Sequence, residues 1–138
     1  MKPRFQKVIY VALLFGAMLM ASDCTKEEKI INAANYGLKQ GTDAVPALRK
    51  ALEVCLEENA TKLIIPKGKY DCHPDMATEK YVRVSNNDNG MKRIVFPLEG
   101  LKNFEIDGQG ARFIMYSQIL PFNIEGCEDI TIRNLSID

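Results

Sequence analysis

Side chains that could bind a metal or transfer a proton are sparse in this chain. It has one histidine, His73, in the segment Cys72-His73-Pro74, and it has no Cys-x-x-C pair. Structural zinc sites use four cysteine or histidine ligands at short spacings, so a zinc site has little support. A single histidine beside a proline is more often packed in its loop than used as a general acid or base. We therefore expect His73 to pack in its loop, and we expect no bound metal.

Carboxylates are more numerous, and turns or solvent explain most of them. Asp107 begins the turn Asp107-Gly108, where an aspartate hydrogen-bonds to its own backbone. Five others are predicted to be solvated, at outward or turn positions: Glu99, Glu105, Glu125, Glu128 and Asp129. Asp138 differs because it ends a strand in the second copy of a repeat described below. It is the carboxylate that we retain as a candidate ligand contact.

The composition is that of one ordinary globular domain. The chain has 138 residues, of which 46% are hydrophobic and 26% are charged, with 18 basic and 18 acidic side chains. Disordered acidic or basic tails lack this much apolar surface, so that class is excluded. A nucleic-acid-binding protein would carry a basic excess on one face. We expect no nucleic-acid partner.

The N-terminal region has the pattern of a secretory signal peptide. Lys2, Arg4 and Lys7 precede an uncharged apolar run, residues 8–21, whose 14 residues are fewer than the roughly 20 needed to span a membrane. We predict a signal peptide over residues 1–23, a linker over 24–30 and a domain over 31–138. The mature chain is then exported.

The end of this signal leaves two alternatives open. Cys24 follows Ala21-Ser22-Asp23, the place where a lipoprotein carries its acylated cysteine, although Asp23 is not the small residue that such signals have there. The mature chain is therefore either periplasmic or lipid-anchored at the cell envelope, with membrane contact only through that anchor. Cys55 and Cys127 fall at apolar positions and are predicted to pack as small hydrophobes.

One amphipathic helix is predicted near the start of the domain. Thr42 or Asp43 supplies its N-terminal cap, and Pro46 lies in the first turn, where a missing N–H costs little. Apolar residues then recur at helical spacing and end near Asn59; they are Ala44, Ala47, Leu48, Ala51, Leu52, Cys55 and Leu56. The remainder of the chain is predicted to form short strands.

Two of the strand segments are copies of one another. Residues 100–108 align with residues 126–134 at an offset of 26, and Phe104 and Ile106 match Ile130 and Ile132. A second short strand follows each copy, over residues 111–115 and 135–137. A fixed period of this length, built from short strands and tight turns, predicts a parallel β-solenoid. The alternative is two similar strand-turn-strand units in a sandwich.

Both ends of a solenoid must be covered, because an open terminal coil exposes apolar side chains and unpaired strand edges. The helix would cover the open first coil, and the last apolar strand would need another coil to cover it. Because the sequence stops within such a strand, we expect these residues to be the front part of a longer polypeptide.

Several motifs resemble the entry segment of secreted right-handed parallel β-helix enzymes of the pectate-lyase-like superfamily. Tyr36-Gly37 and Gly41-Thr42-Asp43 precede the helix, and Pro66-Lys67-Gly68-Lys69-Tyr70 forms the turn that follows the next strand. This resemblance implies an all-β, right-handed parallel β-helix with one capping α-helix, incomplete at its C-terminal end.

A narrower set of motifs is similar to the front of the bacterial α-1,3-galactosidases of glycoside hydrolase family 110. The motifs are Pro66–Asp71, Pro74-Asp75, Ser85-Asn86, Pro97–Phe104, Asp107–Gly110, Leu120–Phe122 and Asn134–Asp138. The resemblance covers the chain from about Ile31 to its end.

The resemblance implies what the full-length protein does. It would remove terminal α-1,3-linked galactose from a glycan by an inverting mechanism and without a metal or other cofactor. Inversion needs one carboxylic acid and one carboxylate about 6.5–9.5 Å apart. We expect that pair beyond Asp138, so that this segment alone is inactive, with Asp138 as a candidate sugar contact. Tyr70, Tyr81 and Tyr116 could stack on sugars, although packing is the commoner role of aromatic residues in strands.

Other functions fit the same fold. The full protein could be another β-helix polysaccharide hydrolase or lyase, a non-catalytic glycan-binding solenoid, or an inactive gene remnant. Paired carboxylates in further coils would favour an enzyme, whereas an uninterrupted ladder of Asn and Thr would favour binding.

Overall fold

A computed structural model describes residues 27–84 and 88–138. Its strands are β1 (Ile30–Asn32), β2 (Lys62–Ile64), β3 (Lys69–Cys72), β4 (Thr78–Val82), β5 (Gly90–Glu99), β6 (Lys102–Met115), β7 (Leu120–Glu125) and β8 (Glu128–Ile137). One α-helix, α1, spans Val45–Glu57, and short 3-10 turns span Ala33–Tyr36 and Pro74–Met76. The predicted signal peptide, residues 1–23, and Cys24 lie outside the described residues.

The helix forms at the predicted place, with two differences. Leu56, predicted on its apolar face, is exposed, and the N-cap residue is Ala44 rather than Thr42 or Asp43. The Asp43 carboxylate accepts a hydrogen bond from the backbone N–H of Val45 at 3.1 Å, and Pro46 lies in the first turn. The buried face of α1 consists of Val45, Ala47, Leu48, Ala51, Leu52 and Cys55. These side chains pack into the same core as the strands. Within the described part of the chain, no helix is both long enough and apolar enough to cross a membrane.

Parallel pairing joins β1, β2, β6 and β8 into one ladder. Ile31, Leu63, Ile106 and Ile132 occupy the same register position in successive strands. Leu63 and Ile106 are fully buried, because each has a neighbouring strand on both sides. These four side chains therefore form one apolar column across the ladder.

A second parallel ladder uses β3 and the latter halves of β6 and β8. Tyr70 is in register with Phe113, and Phe113 is in register with Ile137. An isolated parallel bridge between Asp43 and Asp71 adds a residue two positions before α1 to this ladder. Its inward residues Tyr70 and Phe113 are buried.

A third pairing joins the latter half of β5 to β7. Phe96 is in register with Phe122, and their rings stack with centroids 4.8 Å apart. The first half of β5 leaves this ladder and pairs in antiparallel fashion with β4. The β4–β5 hairpin is thus an excursion from an otherwise parallel arrangement.

The predicted repeat is visible as strand register. Phe104 pairs with Ile130 and Leu98 pairs with Ile124, both at the predicted offset of 26. The left-handed backbone positions at the start of each strand repeat as well, since Asn103 and Asp129 have φ values of 50° and 53°.

The offset changes to 24 at one bend. After the Asp107–Arg133 pair, the register shifts, so that Ala111 pairs with Leu135. In β6 the bend consists of three residues, Gly108-Gln109-Gly110. In β8 it consists of Asn134 alone, which has a φ of 57°. The same bend is made with two residues fewer in the second copy.

Candidate functional site

The predicted contact residue, Asp138, lies on the outer surface of the second ladder. Its backbone N–H donates to the Phe113 carbonyl at 2.9 Å, and its carbonyl accepts from the Met115 N–H at 2.8 Å. These bonds place Asp138 beside Ile114, whose partner on the other side is Asp71. Because Phe113 points into the core, Asp71, Ile114 and Asp138 point outward. Two carboxylates thus flank Ile114, with their strands roughly 10 Å apart.

A cation accompanies the Asp138 carboxylate. The guanidinium Nε of Arg112 donates to Asp138 Oδ2, and both side chains are exposed. Arg112 itself is in register with Lys69 and Ser136. The outer surface therefore has a row of donors, Lys69, Arg112 and Ser136, beside the row that contains the carboxylates.

Tyr116 closes one end of this surface in a fixed orientation. Its backbone N–H donates to the Cys72 carbonyl at 3.0 Å, and its hydroxyl donates to Asp71 Oδ1 at 3.2 Å. The negative charge of Asp71 raises the pKa of Tyr116, so the hydroxyl keeps its proton near neutral pH. Tyr116 is therefore a hydrogen-bond donor to Asp71.

His73 packs against that tyrosine. The two rings stack with centroids 4.4 Å apart and planes inclined by 11°. The backbone N–H of His73 donates to Asp43 Oδ1 at 3.1 Å, the same oxygen that receives the Val45 N–H. The loop-packing prediction for His73 agrees with this geometry, and the helix start and the loop share one anchoring carboxylate.

Glu99 and Glu125 are exposed, as predicted, and they also form a pair bridged by one lysine. Each accepts from Lys80 Nζ at 2.6 Å. The two bonded oxygens are therefore no further apart than twice that distance, which is short of the about 6.5 Å that an inverting pair needs. The Lys80 hydrogen bond also lowers the pKa of Glu125, which opposes a role as proton donor.

Glu105 and Asp107 belong to a second ion-pair network, on the outside of the first ladder. Lys62 Nζ lies 2.9 Å from Glu105, and Arg133 lies 2.8 Å from Glu105 and 3.3 Å from Asp107. The hydrogen bond from Lys62 is the main cause of the lowered pKa of Glu105. The prediction that Glu105 is merely solvated is wrong, because strand register brings these two cations from β2 and β8 to its carboxylate.

Asp107 stabilises its own turn, as predicted, and it also binds a residue of the next strand. Its Oδ1 accepts from the Gln109 backbone N–H at 3.1 Å, as expected in a turn, and from Asn134 Nδ2 at 2.9 Å. The Asn134 bond is the first cause of the lowered pKa of Asp107. Asp107 therefore joins the bends of β6 and β8.

The cysteines are reduced in the described part of the chain. Cys55 and Cys72 are buried, and burial raises the pKa of each thiol to about 12. Cys127 is half-buried, with Sγ 3.3 Å from the Leu98 carbonyl. The buried Cys55 and Cys72 pack as small hydrophobes. Across residues 27–84 and 88–138, no group of three His, Cys, Asp or Glu side chains is arranged to hold a metal ion.

Comparison with known proteins agrees with the sequence resemblance. The chain is 40% identical over 119 residues to α-1,3-galactosidase A of Shewanella woodyi, which covers 85% of this chain and 20% of that protein. It is 34% identical over 128 residues to α-1,3-galactosidase B of Bacteroides thetaiotaomicron, and 36% identical over 135 residues to that of Parabacteroides distasonis. No protein-family model matches the chain.

The predicted likeness to bacterial α-1,3-galactosidases is thus confirmed. The chain spans about a fifth of the length of the curated relatives that it matches.

Proposed function

We propose that this chain is the front part of an exported glycoside hydrolase that removes terminal α-1,3-linked galactose from glycans with inversion. The observation that supports this most strongly is its 40% identity to an α-1,3-galactosidase over 85% of its own length. No cofactor enters the proposal.

The fold that we propose for this enzyme is a right-handed parallel β-helix. Three sets of parallel strand pairs support it, two of which share the 26-residue offset. The four-strand column of Ile31, Leu63, Ile106 and Ile132 supports it further, because stacked coils bury such a column. Helix α1 packs against β1 and β2 at the start of that column.

Further coils would continue from β8. Its inward side chains Ile130, Ile132 and Leu135 are only half-buried and Ile137 is exposed, whereas their counterparts in β6 are buried. Another parallel coil would cover them. We place the catalytic acid and base in such coils, since Glu99, Glu105, Asp107 and Glu125 are all bound to cations here.

In this proposal, Asp138 contacts the glycan. Its carboxylate is exposed beside Arg112, and hydroxyl groups of a sugar can accept from a guanidinium and donate to a carboxylate. A signal peptide over residues 1–23 would export the protein, and Cys24 remains the candidate lipidation site.

The complete native reading frame that includes this chain provides the test. Its protein product is incubated with a Gal-α-1,3-Gal disaccharide, and proton NMR identifies the anomer of galactose that is released first. Inversion at an α-linkage predicts β-galactose. Release of α-galactose first would overturn the inverting mechanism, and no release of galactose would overturn the proposed activity.

A further inference from the structure

Three tyrosines could serve as sugar platforms, that is, as aromatic rings on which a sugar ring stacks. Their environments differ. Tyr70 is only 4% exposed and donates its hydroxyl to the Pro66 carbonyl at 2.8 Å, so it is part of the core. Tyr81 is 65% exposed, with no aromatic neighbour in the described part of the chain. Tyr116 is 43% exposed and stacked. It combines exposure with a fixed orientation.

The accessible surface of Tyr116 is flat and preorganised. His73 covers one face of its ring, so the exposed area comes from the opposite face and the edge. The hydroxyl and the backbone N–H are held by Asp71 and Cys72. A ring that is already ordered loses little conformational entropy when a ligand covers it.

The groups beside this ring suit sugar hydroxyls. Asp71 bonds Tyr116 through Oδ1, and Asp138 bonds Arg112 through Oδ2. Among the described residues, Asp71 Oδ2 and Asp138 Oδ1 accept no hydrogen bond. The Tyr116 ring adjoins Asp71, and the Asp138–Arg112 pair lies across Ile114 on the same outer surface. This arrangement matches a pyranose, which presents C–H groups on one face and hydroxyls at its rim.

We infer that Tyr116, backed by His73, binds the apolar face of a neutral pyranose ring while Asp71 and Asp138 accept hydrogen bonds from its hydroxyls. This inference rests on the proposed function, which makes a glycan the ligand. It adds a binding role for a tyrosine and a second carboxylate, separate from the acid and base that break the bond.

The single histidine supplies a direct reporter. Because His73 is the only histidine of the chain and stacks on Tyr116, its ring resonances report on this site alone. The full chain, labelled at histidine, is titrated with Gal-α-1,3-Gal and separately with maltose. We expect a saturable shift of the His73 resonances with the galactoside.

Three variants test the assignment. Tyr116→Leu should weaken binding about tenfold, because it removes an aromatic contact. Tyr116→Phe retains the ring and should bind within about threefold of the parent, which separates stacking from the hydroxyl. Tyr81→Leu, the matched control on the hairpin, should leave binding unchanged. Far-UV circular dichroism verifies that each variant is folded.

The outcomes separate the two proposals. A shift with the galactoside that Tyr116→Leu weakens supports both. A shift with maltose alone supports the platform and contradicts the galactoside specificity. Absence of a shift with either sugar, or equal binding by folded Tyr116→Leu, overturns the platform and leaves the activity of the longer protein to its own test.

Discussion

Gly108 lies directly beneath Leu135 of the next strand. A Cβ atom at Gly108 would be 2.6 Å from the Leu135 Cβ and 2.7 Å from the Asn134 carbonyl oxygen. No side chain larger than hydrogen fits at that distance without moving the backbone. The contact occurs at the bend where the register of β6 and β8 shifts, so the shape of the bend depends on this glycine.

Replacement of Gly108 by alanine should therefore destabilise the chain. We expect Gly108→Ala to lower the free energy of unfolding by about 1–3 kcal/mol, the usual cost of overpacking. Urea unfolding followed by circular dichroism measures the change. Gly90→Ala is the control, because among the described residues no atom lies within 4 Å of a Cβ placed there. Equal effects of the two substitutions would refute the close-packed bend.

Glu105 should make folding sensitive to acid. Its pKa is lowered in the folded state by Lys62 and Arg133, so the unfolded chain binds its proton more readily. The stabilisation is fully present above the unfolded pKa of about 4.3 and is lost as the pH falls through the lower, folded value. Unfolding midpoints between about pH 6 and pH 3 should fall less steeply in Glu105→Gln than in the parent.

A matched control for that experiment is Glu57→Gln. Glu57 is exposed at the end of α1 and makes no ion pair among the described residues. Its replacement should leave the acid slope unchanged. If Glu105→Gln retained the parental slope, the ion-pair network would contribute nothing measurable to stability.

The β4–β5 hairpin should loosen when Lys80 is removed. Lys80 lies in β4 and forms ion pairs with Glu99 and Glu125, the last residues of β5 and β7. We expect Lys80→Met to raise amide exchange in residues 78–82 several-fold, and 0.5 M salt to do the same in part. Lys92→Met is the control, since Lys92 lies opposite Lys80 in the strand pair but makes no ion pair within the described residues. Identical exchange in both variants would contradict a Lys80 tether.

The two buried thiols should resist alkylation. Burial raises the pKa of Cys55 and of Cys72 to about 12, so almost no thiolate exists at pH 8. Iodoacetamide treatment of the native chain followed by peptide mass mapping should leave both unmodified, whereas the half-buried Cys127 should react. Addition of urea should expose all three. Rapid native labelling of Cys72 would show that its surroundings open readily.

Export can be tested with two changes in the N-terminal region. Deletion of residues 1–22 removes the apolar run and should leave the protein in the cytoplasm. Metabolic labelling with a fatty acid distinguishes the two forms of export, because only a lipoprotein would be labelled and Cys24→Ser would abolish that label. Secretion of the deleted form would refute the signal peptide.

The repeat was predictable because it depends on local pattern. Alternating apolar residues around Phe104 and Ile130 define inward positions, and their 26-residue spacing becomes strand register. The helix was predictable for the same reason, through its apolar spacing and the proline in its first turn. The register shift after Asp107 was not predictable, because bends rich in glycine and asparagine can form with different numbers of residues.

Other features depend on contacts distant in sequence. Strand β7 contains Pro121, which interrupts the alternation and supplies no N–H, so the sequence did not mark it as a strand. The Lys80 bridge and the Arg112–Asp138 pair join residues that only the fold brings together. The sequence could not show which of Tyr81 and Tyr116 has a fixed ring, since the stacking of Tyr116 depends on where the fold places His73.

If this chain is the front part of an α-1,3-galactosidase, it should replace the corresponding segment of a relative in a chimaera. The matching segment of the Shewanella woodyi relative, 40% identical over 119 residues, is replaced by that of this chain. Galactose release from Gal-α-1,3-Gal is then measured beside the unaltered relative. We predict a folded chimaera with activity within about tenfold of the relative, since the exchanged segments are 40% identical. A folded chimaera that releases no galactose would contradict the account.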